Sequence, residues 1–386
     1  MNIKFLQKFP LIPSTIIISI ALILGFTQPM CGSKDLKSTK VPKVLTTKRK
    51  PIFPLGFYHV SNRLTSQQRM EALRDTAAAG FNVIHAGCSN LDDYGKFLDE
   101  ANRLSVSVIT EFDRTNYRVI VDKFKDKPAV LAWNIADDAG DHETKGQILE
   151  LHRSIKKIDP NHYTYTSISG WSKKWAEFSN TADLIGSQSY PIGYTLTNQT
   201  KGLPNSLVEV NHTFSLAEAA ASKYNRPFIA NVQAFKWDNQ RSPTANEVYN
   251  MTYQSLVAGV KGVLFFAYDD GANNQIRDLP LVWNRLKSLA PEIDRLRPIL
   301  IDGTLTKLDP KDRELLASQW EYQNRFYIIV VNTSQTKKIA ASIKTSAKKG
   351  LARTLFSGRR SGMKLSSGYL SGSIDPEDVH VYQIDR

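Results

Sequence analysis

The chain has 386 residues, of which 41% are hydrophobic, 23% charged and 10% aromatic. This composition excludes a disordered, collagen-like or disulfide-stapled protein, because it supplies enough apolar material for at least one large core. The two cysteines, Cys31 and Cys88, are too few for a disulfide framework or a cysteine-based metal cluster. The formal charge of +13 would suggest nucleic acid or an anionic membrane as a partner if it were spread evenly.

The charge is not spread evenly. Residues 1–50 hold nine basic and one acidic residue, residues 51–298 hold 27 of each, and residues 299–386 hold 14 basic and nine acidic. A nucleic-acid enzyme normally places positive charge around its site, so the neutral middle of the chain argues against a nucleic-acid partner.

The first 32 residues have the layout of an export signal. Lys4 and Lys8 precede the short apolar run Ile16–Phe26, as in a secretory signal peptide. This run is about half the roughly 20 residues that a membrane-spanning helix needs. A single tilted membrane anchor over Phe9–Phe26 is the alternative.

Cys31 follows the apolar run and raises the possibility of a lipoprotein. The preceding residues, Gln28–Met30, do not resemble a bacterial lipobox, which argues against lipidation. Residues 33–50 are polar and basic and lack apolar periodicity, so we interpret them as a linker. We therefore expect an exported protein that is secreted or tethered to a membrane.

From Pro51 onward, eight short apolar runs alternate with helical patterns. The runs are Ile52–Val60, Phe81–Gly87, Val106–Asp113, Val130–Asp138, Tyr163–Ser169, Asp183–Gly193, Pro227–Phe235 and Gly262–Asp270. Several are nearly continuous, as in parallel strands buried on both faces. Eight strand–helix units within residues 51–298 predict a (β/α)8 TIM barrel. An open doubly wound sheet is disfavoured because no glycine-rich nucleotide turn follows the first run.

The segments between the runs show six amphipathic helical patterns. The first has Ser66 in N-cap position and Gly80 as a stop signal, and the last is expected to break at Pro291. Residues 299–386 instead contain alternating apolar runs separated by turn residues. They predict a small all-β sandwich domain after the barrel.

In a TIM barrel the site lies at the C-terminal ends of the strands. The carboxylates predicted there are Glu111, Asp113, Asp137, Asp138, Asp269 and Asp270. The accompanying amide and aromatic side chains are Asn134, Gln188, Tyr190, Gln233, Tyr268, Trp171, Trp175 and Trp237. Converging carboxylates supply acid and base chemistry for sugar cleavage, aromatic rings stack on sugar rings, and amides bind hydroxyls.

A metal-assisted hydrolase is the alternative use of clustered aspartates. Only His59 and His85 among the histidines lie near predicted strand ends, which disfavours a transition-metal site. We therefore expect no metal and no other cofactor.

The motif Pro128–Gly140 (PAVLAWNIADDAG) resembles the strand-4 motif of many barrel glycoside hydrolases, in which a run like Gly-Trp-Tyr-Leu-x-Asp-Glu-Pro carries the acid/base glutamate. Trp133 and Asp137 match that motif, and Asp138 takes the place of the glutamate. Similar elements follow at strands 6, 7 and 8, and Ile328–Ser334 resembles a strand of the C-terminal sandwich found in such enzymes. The resemblance implies a barrel followed by a sandwich, with a carbohydrate as substrate.

Two departures affect what the resemblance implies. Retaining enzymes of this group use glutamates at the ends of strands 4 and 7, whereas this chain has Asp138 and Gln233. A glutamine cannot be a nucleophile. Our hypothesis is that Asp138 is the general acid and that Glu111 or Asp269 is its partner carboxylate. The alternative is a non-catalytic carbohydrate-binding protein on the same barrel.

Structural roles are also open for several of these residues. Asp138 could cap the following helix, and Asp137 is better suited to a supporting hydrogen-bond acceptor than to a proton donor. Glu111 could form an ion pair with Arg114 or Arg118. Trp133 and Phe235 could pack the barrel, whereas Trp171, Trp175 and Trp237 are better candidates for sugar subsites. Cys88 is expected to be a small buried residue.

Overall fold

The computed structural model describes residues 45–47, 50–193, 207–238, 240–356 and 362–385. Its first part is a closed barrel of eight parallel strands in sequential order, which confirms the predicted TIM barrel. The barrel strands are β1 Leu55–Val60, β2 Val83–Gly87, β3 Ser107–Glu111, β4 Val130–Ala139, β5 Tyr163–Ile168, β6 Leu184–Ser189, β7 Phe228–Gln233 and β8 Gly262–Asp269. The α-helices are α1 Ser66–Ala78, α2 Leu91–Arg103, α3 Tyr117–Phe124, α4 Lys145–Ile158, α5 Trp175–Phe178, α6 Val208–Ser222, α7 Ala245–Ala258 and α8 Pro280–Asp302.

The helix boundaries follow local capping chemistry. Thr65, Thr144 and Thr244 each form a capping box at the start of α1, α4 and α7. The N-cap of α1 is thus one residue earlier than the predicted Ser66. The predicted stop is confirmed by Gly80, which follows the C-cap residue of α1 with a φ of 83°.

Two helices were not anticipated, and one is longer than expected. The short helices α3 and α5 have eight and four residues, too few for a clear amphipathic period. The expected break of α8 at Pro291 is wrong, because the helix continues through this proline to Asp302. Its apolar side chains, including Leu286, Leu289 and Ile293, are buried, and this packing outweighs the lost backbone hydrogen bond.

The floor of the barrel is formed by residues that the sequence assigns to the linker. Leu45 is 1% exposed and belongs to the apolar cluster inside the barrel, together with Val83 and Ile109. Its carbonyl accepts a hydrogen bond from the backbone N–H of Ile52 at 2.8 Å. The end of the predicted linker therefore belongs to the barrel, because an apolar side chain at this position fills the space beneath the strands.

The C-terminal part forms two antiparallel sheets, as expected for an all-β domain. One sheet has the order β13-β16-β11-β10-β9, and the other has the order β12-β15-β14. The strands are β9 Thr304–Lys307, β10 Leu315–Tyr322, β11 Arg325–Asn332, β12 Ile339–Lys344, β13 Ala352–Thr354, β14 Met363–Ser366, β15 Tyr369–Ile374 and β16 Val379–Asp385. An apolar cluster that includes Ile328, Ile343 and Leu370 joins the two sheets.

Helix α7 connects the barrel to the C-terminal domain. Twelve of its residues are buried, because the five-stranded sheet packs on the side that faces away from the barrel. The Asn250 amide donates to the carbonyl of Asn332 at 2.8 Å, and the Ser318 hydroxyl donates to the carbonyl of Val257 at 2.9 Å. The sheet therefore packs directly against α7 and completes the core around this helix.

The predicted export segment lies outside the described residues, as does Cys31. In the part of the chain that the structure describes, no helix has both the length and the hydropathy needed to cross a bilayer. Cys88 is a free cysteine and is buried, as expected.

Asp159 provides a stability test for the barrel wall. This residue is 1% exposed and accepts hydrogen bonds from the Trp133 indole at 2.8 Å and from His162 Nδ1 at 2.6 Å. Trp133 is itself fully buried, so its role is barrel packing. We expect Asp159→Ala to lower the free energy of unfolding by about 3–5 kcal/mol, because it leaves both donors buried without an acceptor.

The measurement is equilibrium unfolding in urea, with Asp126→Ala as the control. Asp126 is exposed, so this variant should change the free energy of unfolding by less than about 0.5 kcal/mol. Equal stability of the two variants would contradict the structural role of Asp159.

Candidate active site at the barrel mouth

A pocket of about 320 Å³ opens at the C-terminal ends of the barrel strands. It is lined by Tyr58, Asp137, Asp138, Trp171, Gln188, Tyr190, Phe235, Lys236, Trp237, Asp238, Phe266, Asn273 and Asn274. A larger cavity of about 770 Å³ lies at the opposite end of the barrel, near Ile52, Asn82 and Val106. We assign the site to the smaller pocket, because TIM-barrel chemistry takes place at the C-terminal face and the carboxylates lie there.

Two irregular strand positions shape this mouth. His59 in β1 and Asp138 in β4 have φ values of 67° and 48°, and the strand register shifts at both positions. Such bulges let neighbouring side chains leave the strict alternation of a strand. As a result, the adjacent residues Asp137 and Asp138 both face the pocket, which a regular strand would not allow.

Asp137 lies beside β1 at the pocket wall. The Tyr58 hydroxyl donates to its carboxylate at 2.5 Å, and the backbone N–H of Asp138 donates at 3.1 Å. Burial raises the pKa of Asp137 to about 6, the nearby charges of Asp138 and Glu111 add to this rise, and the Tyr58 hydrogen bond opposes it. Its side chain is nevertheless exposed on the pocket side. Asp137 thus accepts two hydrogen bonds, the role that the sequence favours, and its pKa is raised as well.

Asp138 is held by the end of β6. The Gln188 side-chain amide donates to its carboxylate, and burial raises the pKa of Asp138 above its ordinary value. The N-cap of α4 is Thr144, so Asp138 does not cap that helix. Gln188 is 6% exposed and lines the pocket, and its contact with Asp138 fixes the carboxylate that the sequence analysis singles out.

Aromatic rings form the opposite wall of the pocket. The Tyr190 and Phe235 rings are 5.1 Å apart, and the Phe235 and Trp237 rings are 4.7 Å apart. Trp171 is 44% exposed, and its ring centre lies 6.0 Å from that of Trp237. An exposed indole beside a pocket of edge-packed rings is a suitable surface for the apolar face of a sugar.

Glu111 lies outside the pocket lining and next to two histidines. Its Oε2 atom is 3.3 Å from His59 Nδ1 and 4.0 Å from His85 Nδ1. The alternative of an ion pair between Glu111 and Arg114 does not hold, because Arg114 pairs with Glu143 at 2.6 Å. Burial acts to raise the pKa of Glu111, but the two histidines outweigh it and leave that pKa below its ordinary value.

Two predicted site residues of β8 do not line the pocket. Asp269 is 8% exposed and accepts a hydrogen bond from the backbone N–H of Gly271, so it holds the loop after β8. The Tyr268 hydroxyl donates to Asp75 at 2.7 Å, against α1. Neither residue lines the pocket, because Tyr268 is bonded to α1 and Asp269 to the loop after β8.

Three further predicted residues are also outside the pocket lining. Gln233 is fully buried, and its amide bonds the backbone N–H and carbonyl of Ile192, so it braces the loop after β6 and does not bind hydroxyls. Trp175 is 6% exposed and donates to Ser187, because its short helix packs into the barrel wall. Asn134 is 7% exposed within β4.

Sequence reasoning missed Tyr58, Phe266, Lys236, Asn273 and Asn274 among the residues of the pocket. The first two lie at the ends of β1 and β8, and the strand-end rule applied to β1 would have found Tyr58. The two asparagines lie in the loop after β8, where no periodic pattern indicates which side chains turn back to the mouth.

No protein-family model matches the sequence, and no curated protein matches it. Solved structures are nevertheless similar over most of the chain. A protein described as a glycoside hydrolase has a TM-score of 0.60 at 15% identity, with 87% of this chain and 93% of that chain covered. An α-amylase from Geobacillus thermoleovorans, complexed with acarbose, has a TM-score of 0.56 at 14% identity, with 86% and 98% covered. A GH30 endoxylanase from Clostridium papyrosolvens C71 has a TM-score of 0.52 at 11% identity, with 87% and 97% covered.

These similarities define a class of fold. The described chain has the architecture of a glycoside-hydrolase-like TIM barrel followed by a C-terminal all-β domain. At such low identity the comparison establishes the fold, and the chemistry has to be argued from the pocket itself.

The titration of Asp137 can be measured without any substrate. In full-length protein labelled with ¹³C at aspartate carboxyls, we expect one carboxyl with a pKa of about 6 that is lost in Asp137→Asn. Tyr58→Phe should raise this pKa, because the hydroxyl stabilises the charged form. Asp138→Asn should lower it, because a neighbouring negative charge is removed. A shift in the same direction in both variants would contradict the assigned causes.

Proposed function

We propose that this protein is an exported glycoside hydrolase that cleaves an oligo- or polysaccharide in the pocket at the barrel mouth. The observation that carries the proposal is the pair Asp137 and Asp138, two carboxylates with raised pKa values that face an aromatic-lined pocket. The fold shared with known glycoside hydrolases supports it.

The pKa values indicate which carboxylate is the general acid and which is the general base. A general acid is most effective when its pKa lies near the working pH, and the pKa of Asp137 is about 6. We assign Asp137 as the residue that protonates the glycosidic oxygen. Asp138 then accepts a proton from the water that attacks the anomeric carbon, so that the bond to the leaving oxygen breaks as the bond to water forms.

This assignment differs from the sequence-based hypothesis, in which Asp138 is the acid and Glu111 or Asp269 its partner. Asp269 holds a backbone turn, and Glu111 is not part of the pocket lining. Asp137 and Asp138 are the two carboxylates of the pocket lining that come from a barrel strand, whereas Asp238 lies on the loop after β7.

A second candidate function is sugar binding without turnover. The observation that favours it is Gln233, an amide bound to backbone where the resembled retaining enzymes have a carboxylate. The pocket would then retain its aromatic wall and use Asp137 and Asp138 as hydrogen-bond acceptors for hydroxyls.

The location of the activity is a proposal from the sequence. Lys4, Lys8 and the apolar run Ile16–Phe26 support export, and the basic residues that follow are compatible with a tether. We infer that the substrate is a saccharide outside the cytoplasm.

Replacing either carboxylate of the pair tests catalysis. We expect Asp137→Asn and Asp138→Asn to reduce kcat/KM by a factor between about 10² and 10⁴ on whichever glycan the full-length protein cleaves in a hydrolysis screen. Asp126→Asn replaces an exposed aspartate in the turn after α3; it is the matched control and should retain full activity. Wild-type turnover by Asp137→Asn would eliminate its role as the acid.

Replacing the exposed indole of Trp171 tests glycan binding and distinguishes the two candidate functions. Trp171→Ala should weaken glycan binding about tenfold, since losing roughly 50 Å² of apolar contact costs about 1.3 kcal/mol. Binding across a glycan array that depends on Trp171, together with no hydrolysis of any bound glycan, would favour the non-catalytic function. Unchanged binding by Trp171→Ala would contradict the sugar-stacking wall.

A further inference from the structure

Three potential metal ligands meet at the ends of the first three barrel strands. His59 in β1, His85 in β2 and Glu111 in β3 each offer one ligand atom, and these atoms all lie within 4.8 Å of one another. The three residues are one strand–helix unit apart in sequence, so the closed barrel brings them to the same side of the mouth. The bulge at His59 is what turns this third consecutive aromatic residue of β1 toward Glu111.

His85 has an unusual environment for a polar side chain. It is fully buried, and neither of its ring nitrogens has a hydrogen-bond partner. The Oε2 atom of Glu111 is also buried without a hydrogen-bond partner, although His59 lies at ion-pair distance. Buried polar atoms in folded proteins are nearly always satisfied, so these unpartnered atoms indicate a missing ligand.

The arrangement is held in place and can be reached from solvent. The Tyr58 ring stacks on His85 with centres 4.4 Å apart, and the Phe266 ring stacks on His59 with centres 5.9 Å apart. The side chains of His59 and Glu111 are 22% and 29% exposed, so an ion can enter from the mouth. A buried imidazole fixed by stacking is a prepared ligand, because little freedom is lost when it binds.

We propose that His59, His85 and Glu111 bind a divalent transition-metal ion of the zinc type. Two imidazoles and one carboxylate are a ligand set that suits zinc and its neighbours, whereas Mg²⁺ and Ca²⁺ prefer oxygen ligands. Bonds of about 2.0–2.2 Å would draw the three ligand atoms closer together by a small contraction around the ion. Three protein ligands leave room for a further ligand, such as water.

The proposal departs from the expectation of no metal, which rests on the small number of histidines near strand ends. Those two histidines are sufficient because the strand ends of β1, β2 and β3 are neighbours in the barrel. The metal proposal does not depend on the proposed glycosidase activity, since neither histidine nor Glu111 lines the sugar pocket.

The test is metal binding by purified full-length protein after removal of metals with a chelator. We expect Zn²⁺ to bind with one-to-one stoichiometry and micromolar or tighter affinity by calorimetry, and Co²⁺ to give the visible absorption of a low-coordinate site. His59→Ala and Glu111→Gln should each weaken Zn²⁺ binding by about 100-fold or more. His212→Ala, which removes an exposed histidine of α6, is the matched control and should bind as the wild type does.

The main variants are at His59 and Glu111, because these side chains are partly exposed. His85→Ala removes a buried ring, so its folding has to be checked by circular dichroism. A rise in melting temperature with Zn²⁺ but not with Ca²⁺, lost in His59→Ala, would support the site. The proposal is overturned if Zn²⁺ does not bind, or if binding is the same in His59→Ala, Glu111→Gln and wild type.

Discussion

The chemistry proposed for this protein depends on two interruptions of strand geometry inside a closed barrel. A regular strand would send Asp137 and Asp138 to opposite faces, and only one of them would reach the mouth. The left-handed backbone at Asp138 brings both to the pocket, and the similar feature at His59 turns its ring toward Glu111. Bulges of this kind are often found next to active sites, where they redirect side chains without changing the rest of the barrel.

Crowding of carboxylates at the mouth has an electrostatic consequence. The charges of Glu111 and Asp138 both raise the pKa of Asp137, which burial has already raised. The pKa of Glu111 is held below its ordinary value, chiefly by the contact with His59, whereas at Asp137 burial and the neighbouring carboxylates outweigh the opposing effects of Tyr58 and His59. The same chemical group therefore has a raised pKa at Asp137 and a lowered pKa at Glu111, because the two environments differ.

The sequence was sufficient for the fold because the barrel is built from repeats. Eight buried runs alternate with helical patterns, and β1 to β8 lie within or close to the predicted bounds. Failures came where tertiary packing overrides local signals, as at Pro291 inside α8 and at Leu45 beneath the barrel. Among site residues, the strand-end rule found Asp137, Asp138, Gln188 and Tyr190, but it could not tell which side of a strand Gln233, Tyr268 and Asp269 would face or what they would bond.

The two walls of the pocket differ in a way that orients a ligand. Carboxylates come from β4 on one side, and aromatic rings come from β8 and from the loops after β6 and β7 on the other, including Tyr190, Phe235 and Phe266. Gln233 supports this division. Its amide ties the loop that carries Tyr190 to the end of β7, which holds Tyr190 in the aromatic wall. A sugar ring that places its apolar face on the aromatic wall therefore turns its polar edge toward β4. In the proposed function, this orientation turns the polar edge of the sugar toward Asp137 and Asp138, with ring stacking on the other side of the pocket.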